Sequence, residues 1–366
     1  MFSQISNHFF LITFYNTHKL KSIWLIILLI CFTVPVFGQI VTNVPVVDID
    51  VENVEVITYC QPGVKNKSRS KGLEISYGNR GSGQLTNSKQ DPGDLRNKYS
   101  KWDNLQAKLK IPVILKDDFK VLIGFKYYQE GFEFTEIGRA HEAVITNIGE
   151  NNLKSSSFSV VINKSLDERS YLALQLRYMV SGNFAGIGKF SDRYATYRAL
   201  AVYGVKPNPD LEWGFAVNFS KNFRRFNVIP FFLYYKNFSP KWGLEALLPG
   251  FIYMRHNISP GNILLGGVQF GNKNFRLDIP QEGQADLDYA YNQSHLKASI
   301  KYQRRIVPWL WVSAQVGYQY NLNTRFEGKN TSTNSFFLEA RNAPYFRVGI
   351  FVSPHSKEDK LLMSTK

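Results

Sequence analysis

Residues Asn104 to Tyr128 read NLQAKLKIPVILKDDFKVLIGFKYY, and the alternation in this stretch decides the fold. Leu105, Ala107, Leu109, Ile111 and Val113 fall on one face of an extended chain, with Gln106, Lys108 and Lys110 on the other. After the polar break Lys116-Asp117-Asp118, a second run begins. Phe119, Val121, Ile123, Phe125 and Tyr127 alternate there with Lys120, Leu122, Gly124, Lys126 and Tyr128. A period of two is the mark of a strand, because successive side chains leave opposite faces. Two such runs joined by a short polar turn predict an antiparallel hairpin. Each run supplies the roughly 9–11 residues a tilted strand needs to cross a bilayer. The apolar face ends in Phe and Tyr, as an aromatic girdle does.

The pattern repeats along the chain. Leu172, Leu174, Leu176, Tyr178 and Val180 alternate with Ala173, Gln175, Arg177 and Met179. Leu211, Trp213, Phe215, Val217 and Phe219 alternate with Glu212, Gly214, Ala216, Asn218 and Ser220. A soluble β-sandwich also alternates. Strand length and the asymmetry of the connections favour a membrane barrel instead. Breaks near 116, 167, 208, 240 and 307 are short, and those near 90, 140, 187 and 332 are long, as short periplasmic turns and longer outer loops are. The reading is an all-β, antiparallel transmembrane barrel of about 14 strands, with 12 as the alternative. Pro230 predicts a bulge, Pro249-Gly250 a kink, and Gly271-Asn272-Lys273-Asn274 a tight turn.

Composition agrees with this class. Aromatics make up 15% of the 366 residues, and mean hydropathy is only −0.23. A barrel hides its apolar residues in alternation, so its average hydropathy stays near a soluble value. One long apolar run stands out, Ile23 to Val34, preceded by Lys19 and Lys21 and followed by Val36 and Gly38. It predicts a secretory signal over residues 1–38, cut before Gln39. Cys31 raises a lipoprotein alternative, which the bulky Ile30 before it opposes. Residues 39–70 read as a periplasmic lead-in with a strand over Val51 to Tyr59, 71–352 as the barrel, and 353–366 as a charged tail. The net charge of +15 is strongly basic. For an exported chain this points to an anionic surface or solute rather than to nucleic acid.

With a leader ending in Phe37-Gly38-Gln39, alternating strands throughout, and the run WGLEALLPGFIYMR from Trp242 to Arg255, the chain resembles an outer-membrane β-barrel of the Bacteroidota. Within that group it is similar to an uncharacterised family known only as a predicted barrel domain. The resemblance spans roughly Val54 to Val352. It implies fold and address, with outer-membrane lipid, lipopolysaccharide and the barrel-assembly machinery as partners, and it brings no functional residues.

If the apolar sets face lipid, the opposite sets face the lumen. The basic members are then Lys108, Lys110, Lys120, Lys126, Arg177, Arg198, Arg255, Lys297, Lys301 and Arg347, and the acidic members are Glu212 and Glu245. Unpaired buried charge is costly. The excess therefore predicts a wet, cationic lumen in a small passive channel favouring a small anionic solute. The competing expectation is a plugged barrel, structural or loop-binding, in which Glu130, Glu133 and Glu136 fold inward to neutralise the charge. The 129–154 loop is its candidate binding surface. A lipid-modifying enzyme is the third reading, and it needs Ser and His on one outward face. His256 and Ser259 are three apart and Ser294 and His295 adjacent, so neither pair shares a face. No catalytic set, metal-ligand spacing or cofactor fingerprint is present in the sequence.

Overall fold

A computed structural model of the chain describes residues 59–86, 96–187, 191–223, 226–281, 283, 286–329 and 335–353. The expected signal segment, the 51–58 part of the expected lead-in strand and the tail beyond 353 lie outside the described residues. Seventeen strands form one sheet. They are β1 (Leu73–Asn79), β2 (Gly83–Thr86), β3 (Asn97–Leu115), β4 (Phe119–Glu136), β5 (Leu153–Ser165), β6 (Ser170–Gly182), β7 (Ala195–Asn208), β8 (Leu211–Lys221) and β9 (Phe226–Asn237). There follow β10 (Trp242–Leu248), β11 (Phe251–Ser259), β12 (Asn262–Ile279), β13 (Leu287–Val307), β14 (Leu310–Gly328), β15 (Phe336–Phe337), β16 (Glu339–Ala340) and β17 (Ala343–Val352). β1 pairs antiparallel with both β3 and β17, which closes the ring. Setting aside the short β2, β15 and β16, the wall is a closed antiparallel barrel of 14 strands. This is the barrel that the alternation predicts. Among the described residues one α-helix, α1 (Glu142–Asn151), lies between β4 and β5.

The barrel is inside-out relative to a soluble protein. Ile111, Val113, Phe215, Ile300 and Val316 are each at least half exposed, whereas Gln106, Ser159, Glu212, Glu245, Arg255, Gln303 and Gln319 are buried. An apolar outer belt around a polar interior is the arrangement lipid selects, since no water is available outside to solvate charge.

The wall is uneven in height. β12, β13 and β14 run for 18, 21 and 19 residues, but the β10–β11 hairpin contributes only 7 and 9. Three sequence expectations fail in the fold. Pro249-Gly250 is the turn between β10 and β11, not a kink, and Gly271 to Asn274 lies within unbroken β12, paired through to Ile279 with β13. Glycine and asparagine signal a turn only when the chain is free to turn, and here eighteen register pairs with β13 override them. Nor does Pro230 make a bulge, for β8 and β9 pair without a register shift. β10 reaches only as far as Phe232 along β9, so Pro230 sits beyond its end, where no strand asks for its missing N–H.

Above the low hairpin, β12 would present a bare edge. The chain leaving β6 crosses over to cover it. Gly182 pairs in parallel with Arg276, the Asn183 amide N–H donates to the Arg276 carbonyl (3.3 Å), and Asn183 Nδ2 donates to the Asp278 carbonyl (2.9 Å). Gly182 is required by this approach, since a Cβ there would stand 2.6 Å from the Arg276 carbonyl oxygen. The barrel thus has two storeys, a full ring near the short turns and a narrower ring above it.

Candidate functional site

The upper storey is filled by an apolar core. Ile145 and Ile148 of α1 insert among Trp102, Phe132, Leu153, Leu277 and Phe326, all buried. The expected 129–154 loop is therefore not a loop throughout. β4 extends to Glu136, and α1 turns an apolar face into the barrel. His141 just ahead of α1 stacks on Phe336 with ring centroids 3.6 Å apart, and burial holds its imidazole below the ordinary histidine range. This core is a lid of packed side chains across the long-loop end.

The boundary between storeys is a buried ion cluster. Glu130 is fully buried and accepts from Lys273 Nζ (2.5 Å), Tyr128 OH (3.1 Å) and Trp102 Nε1. The Arg80 guanidinium lies over the Trp102 ring, 3.7 Å from its centroid. Of the three acids expected to fold inward, only Glu130 does. Glu133 pairs with Lys101 (3.0 Å) and Glu136 with Lys98 (2.5 Å), both pairs solvent-exposed.

At the short-turn end, residues 59–72 lie inside the mouth along the β4–β11 wall. The Gly63 N–H donates to Glu212 (2.7 Å), and Ser68 donates to Glu245 from both its N–H (2.8 Å) and Oγ (2.6 Å). Val64 packs on Leu233 and Tyr235, and the Lys67 ammonium sits 3.6 Å from the Tyr235 ring centroid. The Gly72 N–H donates to the Val352 carbonyl and feeds the chain into β1. Beside this segment a cavity of about 980 Å³ remains, reaching Glu74, Lys108 and Lys110 on the opposite wall.

Between floor and lid stands the wall of charge. Both expected lumen acids point inward, but their charge is already used. Glu212 accepts from Gly63 and from Tyr171 OH (2.5 Å), and Glu245 from Ser68 and from buried Arg255 (3.2 Å). Lys120 bonds Gln61 of the lead-in. Lys108 shares Glu74 with Lys71. Lys297 lies 5.0 Å from the Tyr345 ring centroid and Lys301 5.5 Å from that of Tyr253, and Arg347 donates to Asn104 Oδ1 (2.8 Å). Lys110, Lys126, Arg177, Arg198, Lys297, Lys301 and Arg347 form no ion pair among the described residues.

The sequence reading missed Glu74 and Lys273, and it placed Glu130 in a loop rather than on β4. Glu74 falls opposite Leu73 and Ile75 by the same parity that located Glu212, and Glu130 continues the Lys126–Tyr128 face of β4. Lys273 was concealed by its turn-like neighbours. On the outer surface, His256 stacks on Trp242 and Ser294 Oγ accepts from Asn272, so neither Ser/His pair forms a hydrogen bond.

No family model matches the sequence, and no curated protein does. Solved structures similar to the chain include the toluene transporter TodX of Pseudomonas putida, at 9% identity with a TM-score of 0.31, covering 78% of this chain and 90% of that one. A FadL homologue from Pseudomonas aeruginosa is similar at 9% identity with a TM-score of 0.34, covering 76% and 89%. The translocator domain of the autotransporter NalP from Neisseria meningitidis is similar at 12% identity with a TM-score of 0.27, covering 80% and 91%. The inside-out surface and the closed 14-strand ring make this chain a β-barrel of the outer-membrane type.

Proposed function

We propose that the chain is a bacterial outer-membrane barrel that admits a small anionic solute into a cationic lumen, closed at rest by the core around α1. The observation that carries this reading is the set of seven inward lysines and arginines without an acidic partner among the described residues. Charge held against a low-dielectric wall must be hydrated or matched by mobile anions. A ring of such groups favours anions in a pore. The cavity beside the lead-in gives solute a route to Lys108 and Lys110.

The apolar lid favours a second reading, a barrel that binds without conducting. Planar-bilayer recording on the refolded full chain separates the two. The anion path predicts openings whose reversal potential under a salt gradient is anion-selective, with selectivity weakened by Lys108→Glu plus Lys297→Glu. A barrel that stays silent, also after Ile145→Asp loosens the lid, eliminates the channel and leaves the binding barrel.

A further inference from the structure

The unpaired cations are not scattered over the wall. Strand register places four of them around one patch. Lys110 of β3 stands opposite Gly124 of β4, Gly124 opposite Ser159 of β5, Ser159 opposite Arg177 of β6, and Arg177 opposite Arg198 of β7. One pleat further from the short turns, Lys126 of β4 stands opposite Ser157 of β5. Neighbouring strands lie about 4.8 Å apart, so the whole patch spans about 19 Å of inner wall.

Its centre is low. Gly124 has no side chain and Ser157 and Ser159 have short ones, while the four long cations rise on either side. The patch is a dish with a hydroxyl floor and a cationic rim. It also breaks a pairing rule. Arg177 and Arg198 are direct cross-strand neighbours of like charge, which destabilises a sheet. Arg198 Nε is buried without a hydrogen-bond partner. None of the four rim cations has an ion-pair partner among the described residues, and Glu74, which shares the mouth cavity with Lys110, is occupied by Lys71 and Lys108. A wall that places two guanidiniums side by side over serine hydroxyls is arranged for a multivalent oxyanion. A planar guanidinium fork takes two oxygens of a carboxylate or a phosphate. A phosphate, with more oxygens and more charge, can engage two guanidiniums and a hydroxyl at once, where a carboxylate has only two oxygens and a halide none to fork.

We propose that the dish formed by Gly124, Ser157 and Ser159 between Lys110, Lys126, Arg177 and Arg198 binds the phosphate group of a small phosphorylated solute. The inference rests on the reading of the lumen as an anion path and names the anion. Lys110 also lines the cavity at the short-turn mouth, so the dish adjoins the route by which a solute enters. Arg177 and Arg198 hold the phosphate, Lys110 and Lys126 flank it, and Ser159 donates from below once its hydroxyl leaves the Gly124 carbonyl, to which it now donates at 3.4 Å.

The test is calorimetric titration of the refolded full chain in detergent with inorganic phosphate, pyrophosphate, acetate and chloride at constant ionic strength. Phosphate and pyrophosphate are expected to bind at least about 10-fold more tightly than acetate. Arg177→Gln plus Arg198→Gln is expected to weaken phosphate binding about 100-fold, the loss of two charge-assisted contacts. Ser159→Asp provides a variant that needs no arginine removed. Its carboxylate would occupy the dish, abolish phosphate binding and raise the melting temperature by relieving the arginine repulsion. Equal binding of acetate and phosphate overturns the proposal, as does wild-type phosphate affinity in either variant. Binding is read without current, so a barrel that binds phosphate but never conducts sinks the channel and keeps the dish. A barrel that conducts anions without discriminating among them in the titration keeps the channel and sinks the dish.

Discussion

Removing the charge from the two lumen acids should release the lead-in from the mouth. In Glu212→Gln plus Glu245→Gln, three hydrogen bonds that tether residues 59–72 to the wall lose their ionic acceptor. They are those from Gly63 N–H (2.7 Å), Ser68 N–H (2.8 Å) and Ser68 Oγ (2.6 Å). A hydrogen bond to a charged group contributes roughly 1.5–3 kcal/mol and a neutral one roughly 0.5–1.5, so each loses about 1 kcal/mol. Three together lose about 3 kcal/mol, or about 100-fold in the ratio of docked to released segment. The remaining bonds of these acids, from Tyr171 and Arg255, lie within the wall and do not hold the lead-in. The segment carries Lys65, Lys67 and Arg69, so trypsin reads the released fraction directly. When reclosing outpaces cleavage, the cutting rate follows the open population. The double variant should be cut within this segment about 100-fold faster, while its far-UV circular dichroism shows the barrel still folded. Glu133→Gln, at the exposed Lys101 pair, serves as the control and should not change the rate. An unchanged rate in the double variant, or an equal rise in the control, would refute the latch.

Other perturbations address the storeys separately. Gly204→Val would drive a Cβ to 2.2 Å from the Tyr171 ring and push its hydroxyl off Glu212, costing about 1–3 kcal/mol, seen as a lower melting temperature. Ile145→Ala, at a fully buried lid position, should cost about 2–5 kcal/mol locally and speed amide exchange across α1 while leaving β5–β8 protected. His141 is held below its ordinary pKa by burial, so the folded lid prefers the neutral ring. Stability from this group is therefore full above the unfolded value near 6.5 and is lost as pH falls through the folded value. Amide exchange in 139–151 should accelerate on acidification in the wild type, and His141→Phe should flatten that dependence.

What the sequence made legible follows a simple physical division. Leu211 to Ser220 reveals its two faces because lipid and lumen impose opposite chemistry on alternate residues of one strand, and that contrast is local. The same parity located Arg255 and Glu212 on the inner face. Connections were less legible. Gly271-Asn272-Lys273-Asn274 has every local mark of a turn, and only its pairing with Gln293 and Asn292 of β13 keeps it extended. The floor was not legible at all. Gly63 meets Glu212 across 149 residues of chain, and Ser68 meets Glu245 across 177, with no periodicity linking them. Two inward acids among many inward cations looked like a deficit of pairing. In the fold they are committed to a different task, holding a segment that carries cations of its own.

That commitment explains why the lumen remains cationic. Glu74, Glu130, Glu212 and Glu245 are each bonded at a boundary. Glu130 lies under the lid with Lys273, Glu74 at the mouth with Lys71 and Lys108, and Glu212 and Glu245 along the docked lead-in. The β4–β7 wall between these boundaries carries Lys126, Arg177 and Arg198 and no bonded acid. Like charges directly opposite on neighbouring strands destabilise a sheet, so Arg177 beside Arg198 is a standing cost in the empty barrel. A fold concerned only with stability would place an acid at Ser159, between Gly124 and Arg177, where the register offers the position. Under the proposed phosphate site, serine there leaves that repulsion for the bound anion to relieve.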